Sequence, residues 1–179
     1  MKNHAKRILT FAIIAFLAVS VLPIHAYAAG WNKDYGDWRY EENGKWVTGW
    51  KKISGKWYYF DADGYMLFYG GGQYFVGGKP YCFDSEGAMY TGWGKVTQGG
   101  ETVWYYADSS SGILLTGWRK IDGAWYWLGA DYVMVSGGTS RINGKLWVFQ
   151  NNGALASKAG WVNTKTGWYY ANADGTAFT

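Results

Sequence analysis

One stretch of the chain decides its fold. Residues 49–66 read GWKKISGKWYYFDADGYM. Within it, Ser54-Gly55 is a dipeptide typical of tight hairpin turns, because both positions tolerate a positive φ. The triplet Trp57-Tyr58-Tyr59 is rich in strand formers, and residues 61–64 make a polar turn that ends in glycine. The stretch therefore predicts a short β-hairpin followed by a turn.

The same pattern recurs along the chain. Aligned triplets start 19, 23, 24, 21, 21 and 22 residues apart, at Trp38-Arg39-Tyr40, Trp57-Tyr58-Tyr59, Pro80-Tyr81-Cys82, Trp104-Tyr105-Tyr106, Trp125-Tyr126-Trp127, Leu146-Trp147-Val148 and Trp168-Tyr169-Tyr170. A lone hairpin is marginal in water, whereas a row of hairpins buries its aromatic side chains between neighbours. We therefore expect an all-β solenoid of about seven stacked β-hairpin repeats of ~21 residues. The units start near residues 30, 49, 71, 92, 117, 138 and 160.

The first 28 residues differ from the repeats. Lys2, Lys6 and Arg7 precede an apolar run over residues 8–22, and Ala26-Tyr27-Ala28 follows. A basic start, an apolar stretch of this length and an A-x-A site predict a secretory signal peptide over residues 1–28. The alternative is a membrane anchor, but the run is shorter than the ~20 residues that span a bilayer. We expect a secreted protein whose repeat domain covers residues 29–179.

Composition excludes several classes of protein. Aromatic residues make up 21% of the chain and charged residues 17%, which argues against disorder. Removing residues 1–28 lowers the net charge from +4 to +1 because three basic residues and no acidic ones are lost, so we expect no nucleic-acid partner. Both histidines, His4 and His25, lie in the predicted signal. The repeats therefore lack histidine for nucleophilic catalysis or metal binding.

We accordingly predict no enzyme activity, no cofactor and no metal site. Asp61-x-Asp63-Gly64 resembles the start of a calcium loop, but Gly72 occupies the twelfth position, where such a loop needs Glu. The acidic residues lie mainly in the recurring turns, where Asp is expected. The single cysteine, Cys82, is expected to be a small buried side chain, and a reactive or intermolecular thiol is the alternative.

Tryptophan occupies two recurring positions in the repeat. One follows the glycine that opens a unit, and the other opens the triplet: Trp31, Trp50, Trp93, Trp118 and Trp161 for the first, and Trp38, Trp57, Trp104, Trp125 and Trp168 for the second. We expect the two to face each other across the hairpin. One interpretation is that these rings form the core. The alternative is that they receive a ligand, because aromatic faces attract quaternary ammonium groups and also stack on sugars.

The repeat resembles a known family. The repeat is similar to the choline-binding cell-wall repeats of Gram-positive bacteria and their phages. The shared pattern is Gly-Trp, then Gly-x-Trp-Tyr-Tyr-Phe, a glycine-ended turn, a methionine and a further Thr-Gly-Trp. Thr48-Gly49-Trp50, Thr91-Gly92-Trp93 and Thr116-Gly117-Trp118 match the junction between units, and the resemblance covers residues 30–179. Glucan-binding repeats and clostridial toxin repeats are close relatives of that family.

The resemblance implies a non-enzymatic protein at the cell wall or cell surface that binds choline or phosphocholine on (lipo)teichoic acid. Glucan or host-oligosaccharide binding by the same repeats is the first alternative. An adhesive protein whose tryptophans form only the core is the second. The last hairpin, with Trp161, Trp168 and Tyr170, is a possible homodimer contact.

In that family a cage combines two tryptophans of one unit with an aromatic side chain and often a methionine of the next. Carried over by position, the first junction offers Trp31, Trp38, Tyr59 and Met66, and the fourth offers Trp93, Trp104, Trp127 and Met134.

Other junctions depart from the pattern. The second offers Trp50, Trp57 and Met89, with Cys82 at the aromatic position; the fifth offers Trp118 and Trp125, with Val148 at the third place and Trp147 or Phe149 as substitutes. Units three and six begin Gly71-Gly72 and Gly137-Gly138 without tryptophan. We therefore expect about two to four working sites.

Overall fold

The computed structural model describes residues 29–34, 36–67 and 71–178, and they form β-strands and turns with no helix among them. The predicted signal peptide lies outside the described residues. The strands are β1 (Gly30–Asp34), β2 (Asp37–Glu42), β3 (Lys45–Trp46), β4 (Gly49–Ile53), β5 (Lys56–Phe60), β6 (Gly72–Val76), β7 (Lys79–Phe83), β8 (Gly92–Gln98), β9 (Glu101–Ala107), β10 (Gly117–Ile121), β11 (Ala124–Leu128), β12 (Gly138–Ile142), β13 (Lys145–Phe149), β14 (Gly160–Thr164) and β15 (Gly167–Ala171).

Each unit is one antiparallel hairpin, and the seven hairpins form separate sheets. The sheets have two strands each, except that β3 adds a third strand to the first. The predicted all-β hairpin solenoid is confirmed. Among the described residues, none belongs to a helix that is long and apolar enough to span a bilayer.

The hairpin turns follow the sequence prediction. Ser54, Asp122 and Asn143 have φ values of 49°, 47° and 50°, and a glycine with positive φ follows each of them. Two consecutive residues with positive φ define the hairpin turn whose twist matches that of the flanking strands. The turn dipeptides therefore fix the register of these three hairpins.

That register differs from the expected pairing of the tryptophans. Trp50 lies opposite Tyr59, and Trp57 lies opposite Lys52. The two tryptophans are therefore diagonal neighbours on one face rather than direct partners, with ring centroids 6.5 Å apart.

One backbone hydrogen bond recurs at every junction between hairpins. At the first junction, the Met66 N–H donates to the Trp38 carbonyl at 2.7 Å. Equivalent bonds of 2.7–2.9 Å join Met89 to Trp57, Leu114 to Pro80, Met134 to Trp104, Leu155 to Trp125 and Ala177 to Leu146. The second residue after each polar turn is thus attached to the second strand of the preceding hairpin.

The core consists of side chains other than the recurring tryptophans. The last residue of the second strand of each hairpin from the second onward is fully buried: Phe60, Phe83, Ala107, Leu128, Phe149 and Ala171. Ile53, Ile121 and Ile142 add buried side chains from the first strands. By contrast, two of the recurring tryptophans, Trp57 and Trp104, remain 39% and 38% exposed. The alternative in which the tryptophans serve only as core is therefore wrong for these residues.

We predict that Phe149→Ala lowers the free energy of unfolding by about 3–5 kcal/mol, because it leaves a cavity in the core. The matched control is Phe75→Ala, because Phe75 is 61% exposed and contacts Tyr132 only at its ring edge. We expect the control to cost about 1 kcal/mol or less. Urea unfolding followed by circular dichroism measures both, and equal losses would contradict this assignment of the core.

Candidate functional site: aromatic pockets between hairpins

A solvent-open pocket lies at the first junction. Trp31 and Trp38 stand edge to face, with ring centroids 6.2 Å apart and planes at 86°. Tyr58 of the next hairpin approaches Trp31 at 4.9 Å, and Met66 closes the pocket. The cavity measures about 410 Å³. Three rings and a thioether thus surround one compact space.

Three further junctions repeat this arrangement. Their tryptophan pairs have centroids 6.3–6.5 Å apart and planes at 84–87°. Their cavities measure about 320, 470 and 340 Å³. The lining side chains are Trp50, Trp57, Tyr81 and Met89 at the second junction, Trp93, Trp104, Tyr126 and Met134 at the fourth, and Trp118, Trp125, Trp147 and Leu155 at the fifth.

Strand geometry places these side chains. Successive residues of a strand point to opposite faces, so Trp57 and Tyr59 share the face directed towards the following hairpin. Tyr58 lies on the other face and points back to Trp31. The junction hydrogen bond holds the Met66 backbone against Trp38. Each pocket therefore combines the forward face of one hairpin with the backward face of the next.

Two predicted pocket residues lie elsewhere. Tyr59 packs against Trp50 at 5.2 Å, and Trp127 packs against Trp118 at 5.3 Å. Tyr58 lines the first pocket in place of Tyr59, and Tyr126 lines the fourth in place of Trp127. We expected the third residue of the triplet to line the pocket. Because side chains alternate along the strand, that residue instead packs against a tryptophan of its own hairpin.

The same geometry shows that the second junction is intact. Tyr81 contacts Trp50 at 4.8 Å, whereas Cys82 is fully buried on the other face. At the fifth junction, Trp147 contacts Trp118 at 5.0 Å. Val148 is fully buried there, and Phe149 stacks behind Trp118 with ring centroids 5.9 Å apart.

The third and sixth junctions have other residues at the tryptophan positions. Gln73 and Pro80 occupy the register positions that belong to Trp50 and Trp57 in the second unit. Thr139 and Leu146 occupy them in the sixth unit. At the third junction, Tyr105 is almost fully buried in a cluster that includes Cys82 and Leu114. In the last hairpin, Trp161 and Trp168 are 69% and 64% exposed.

The polar rims of the pockets were not predicted from the sequence. Each rim comes from the turn of the unit that follows the two pocket-forming units: Ser85 and Glu86 at the first pocket, Ser110 and Ser111 at the second, Asn151 and Asn152 at the fourth, and Asp174 at the fifth. Lys165, at the tip of the seventh hairpin, also lines the fourth pocket. No local sequence pattern predicts these contacts, because they depend on how successive hairpins are arranged along the solenoid.

The rims differ in charge. Asp174 accepts hydrogen bonds from the Thr176 hydroxyl at 2.6 Å and the Thr176 N–H at 3.0 Å. These bonds lower the pKa of the Asp174 carboxyl below its ordinary value, so it is anionic at neutral pH. Glu86 forms a loose ion pair with Lys56 at 3.8 Å. The fourth pocket instead carries the Lys165 ammonium.

The rings already attract cations of the protein itself. The Lys33 ammonium lies 5.5 Å from the centroid of the Trp38 ring, and the Lys95 ammonium lies 5.7 Å from that of Trp104. Such contacts reflect the negative electrostatic potential over the face of an indole. Two of the pocket tryptophans, Trp38 and Trp104, therefore each lie within cation–π distance of a lysine ammonium.

Comparison with known proteins agrees with this geometry. Residues 48–66, 116–131 and 159–177 match the family described as "Putative cell wall binding repeat". These three segments are cell wall binding repeats. The family predicted from the sequence is confirmed. Cell wall binding repeats form a binding module and indicate association with a cell surface.

Solved structures with this repeat are also similar. Choline binding protein F from Streptococcus pneumoniae, solved in the presence of a peptidoglycan analogue, is 32% identical with a TM-score of 0.66. CbpJ from Streptococcus pneumoniae TIGR4 is 31% identical with a TM-score of 0.63. Both alignments cover 84% of this chain and 52% of the other, so the repeats span about half the length of these proteins.

A curated relative is much longer. Glucosyltransferase-S of Streptococcus mutans serotype c is 35% identical over 147 residues. The alignment covers 79% of this chain and 10% of the glucosyltransferase. The similarity therefore concerns one small part of that enzyme.

We predict that Cys82 is unreactive in the native repeats. Burial, with a smaller contribution from Asp84, raises the pKa of its thiol to about 12, and the thiolate is the reactive form. At pH 8, a disulfide reagent such as dithionitrobenzoate should react about 100-fold or more slowly with native protein than with protein in urea. Equal rates would contradict the buried position of the thiol.

Proposed function

We propose that this chain is an exported, non-enzymatic protein that attaches to a bacterial surface by binding choline groups of (lipo)teichoic acid. The observation that carries the proposal is the recurring pocket of three convergent rings and an apolar side chain. Choline binding protein F, which is similar over most of this chain, supports the ligand class. The predicted signal peptide and repeat domain support export.

The angle between the rings favours a compact cation over a flat sugar. In all four pockets, the two tryptophan planes are within 6° of perpendicular. Two perpendicular indoles cannot both stack on the face of one pyranose. They can both direct their negative faces at a tetrahedral ammonium group, whose methyl groups also suit an apolar cavity.

The expected affinity of one pocket is modest. Each ring facing a cation contributes about 0.5–2 kcal/mol, so three rings give about 2–6 kcal/mol and an affinity in the millimolar range. Several such pockets along one solenoid gain effective concentration on a polymer that carries many choline groups. The repeated design therefore suits attachment to a multivalent surface.

The turn carboxylates support binding rather than catalysis. Asp84 accepts backbone hydrogen bonds from Glu86 and Ala88, both at 2.9 Å. Asp108 accepts hydrogen bonds from the backbone and hydroxyl groups of Ser110 and Ser111, which lower its pKa. These carboxylates hold turns in shape, which accounts for their recurrence without a reaction.

We predict saturable binding of choline at millimolar concentration, measured by isothermal titration calorimetry. The uncharged isostere 3,3-dimethylbutan-1-ol should bind at least about tenfold more weakly, because it lacks the cation that the rings attract. Trp38→Ala should remove one site from the stoichiometry. Trp168→Ala is the matched control, because Trp168 is exposed and lines none of the four pockets.

Two results would contradict the choline proposal. One is the absence of saturable heat with choline. The other is equal affinity for choline and its uncharged isostere, which would make the pockets simply apolar.

We also predict that rim charge ranks the pockets. Lys165→Gln should raise the choline affinity of the fourth pocket, and Asp174→Asn should lower that of the fifth. Each change should be about two- to fivefold, because solvent weakens the effect of an exposed charge even at a few ångströms. Indole N–H signals of Trp104 and Trp125 in nuclear magnetic resonance spectra follow the two pockets separately.

Lys158→Gln provides the matched control for the rim prediction. It removes the same charge from a lysine that lines none of the aromatic pockets. If Lys158→Gln and Lys165→Gln change the Trp104 titration equally, net charge rather than the rim sets the affinity.

A further inference from the structure

A fifth cavity differs from the aromatic pockets in position and chemistry. It lies near the C-terminal end of the solenoid, between the turn at residues 150–152, the connection at residues 156–159 and strand β14. Its volume is about 670 Å³, larger than that of each of the four aromatic pockets. We call it the amide groove, because Gln150, Asn151, Asn152 and Asn163 line it together with Lys158 and Trp161.

The aromatic part of the amide groove is a single open platform. Trp161 is 69% exposed, and its neighbour Tyr170 meets it edge to face at 5.5 Å rather than stacking on it. An exposed indole with a polar surround offers one flat apolar surface. The amide groove therefore lacks the perpendicular pair of tryptophans that lines each of the four aromatic pockets.

The polar part offers both donors and acceptors. An amide side chain carries a carbonyl that accepts and an NH₂ that donates hydrogen bonds. Gln150 and Asn163 are exposed. The Asn152 carbonyl accepts the Ala154 N–H at 3.0 Å, which leaves its NH₂ group for another partner. The ionisable side chain in the lining is Lys158, a cation, so this surface disfavours an ammonium ligand.

We propose that the amide groove binds a pyranose sugar of a glycan, with Trp161 beneath the sugar ring. Sugar hydroxyls both donate and accept hydrogen bonds, which matches amide side chains, and the C–H face of a pyranose matches an exposed indole. A cavity with an apolar platform and a few convergent polar groups is the usual form of a small-ligand site. Its platform, Trp161, lines none of the four aromatic pockets, so sugar binding there does not require choline binding.

The location of the amide groove adds a functional consequence. Asn151 and Asn152 line both the amide groove and the fourth aromatic pocket, which contains Trp93 and Trp104. One polar turn therefore separates a sugar site from a cation site. A surface glycan that carries quaternary ammonium groups can occupy both sites with one chain, and binding at two linked sites raises the overall affinity.

The test uses two neutral probes, chitotriose and isomaltotriose, with the indole N–H signal of Trp161 as the readout. We expect at least one probe to shift this signal with millimolar affinity, as is usual for a small open site. Isothermal titration calorimetry compares the variants, because Trp161→Ala removes the reporting indole. In that measurement Trp161→Ala should weaken binding at least about fivefold, and Asn163→Ala at least about twofold. Trp168→Ala, a tryptophan of the same hairpin outside the groove, should leave it unchanged.

Competition with choline separates this proposal from the function proposed above. Sugar binding should persist in saturating choline. If choline displaces the sugar, or if neither probe shifts the Trp161 signal at about ten times the millimolar range expected of such a site, the groove proposal is overturned and the choline proposal is untouched. If the sugar binds and choline does not, the groove stands and the choline proposal fails. An equal loss of sugar affinity in Trp161→Ala and Trp168→Ala also overturns the groove proposal, because the sugar would then bind the last hairpin outside the groove.

Discussion

The alternation of side chains along a two-residue-turn hairpin determines the rest of the structure. Because each hairpin forms its own sheet, neighbours meet face to back, and every residue belongs either to the forward or to the backward face. Tyr58 and Phe60 lie on a backward face and both contact Trp31. The core residue and the pocket residue are thus two positions apart on the same strand, so the core and the aromatic pocket share one interface between hairpins.

Much of the fold was predictable from sequence, since its signals are local. Turn dipeptides such as Asp122-Gly123 and the recurring triplets specify a hairpin every ~21 residues. The tryptophan pairs of the pockets also follow from their positions in the repeat. The error with Tyr59 and Trp127 was avoidable, because alternation alone assigns Tyr58 and Tyr126 to the backward face. Applying that rule also leaves the second junction intact.

The rims of the pockets were not predictable in the same way. Glu86 and Asp174 reach pockets formed by other units because of the angle at which successive hairpins wind. That angle depends on the stacking of the rings and on the junction hydrogen bonds, and no short pattern encodes it. Lys165 illustrates the consequence, since its side chain stem passes over Gly137, where a Cβ would lie 2.8 Å from it. The charge of each pocket is therefore a tertiary property.

In this repeat, the contacts that stack the hairpins do not depend on the tryptophans that form the pockets. At the third junction, Gln73 and Pro80 replace the two tryptophans, yet the Leu114 N–H still donates to the Pro80 carbonyl. At the sixth, Ala177 donates to Leu146 in the same way. The backbone contact and the buried position at the end of each second strand persist whether or not tryptophans are present. Substitution at two positions per unit can therefore add or remove a pocket while the stack remains continuous. One architecture can thus carry aromatic pockets and a chemically different groove along the same solenoid.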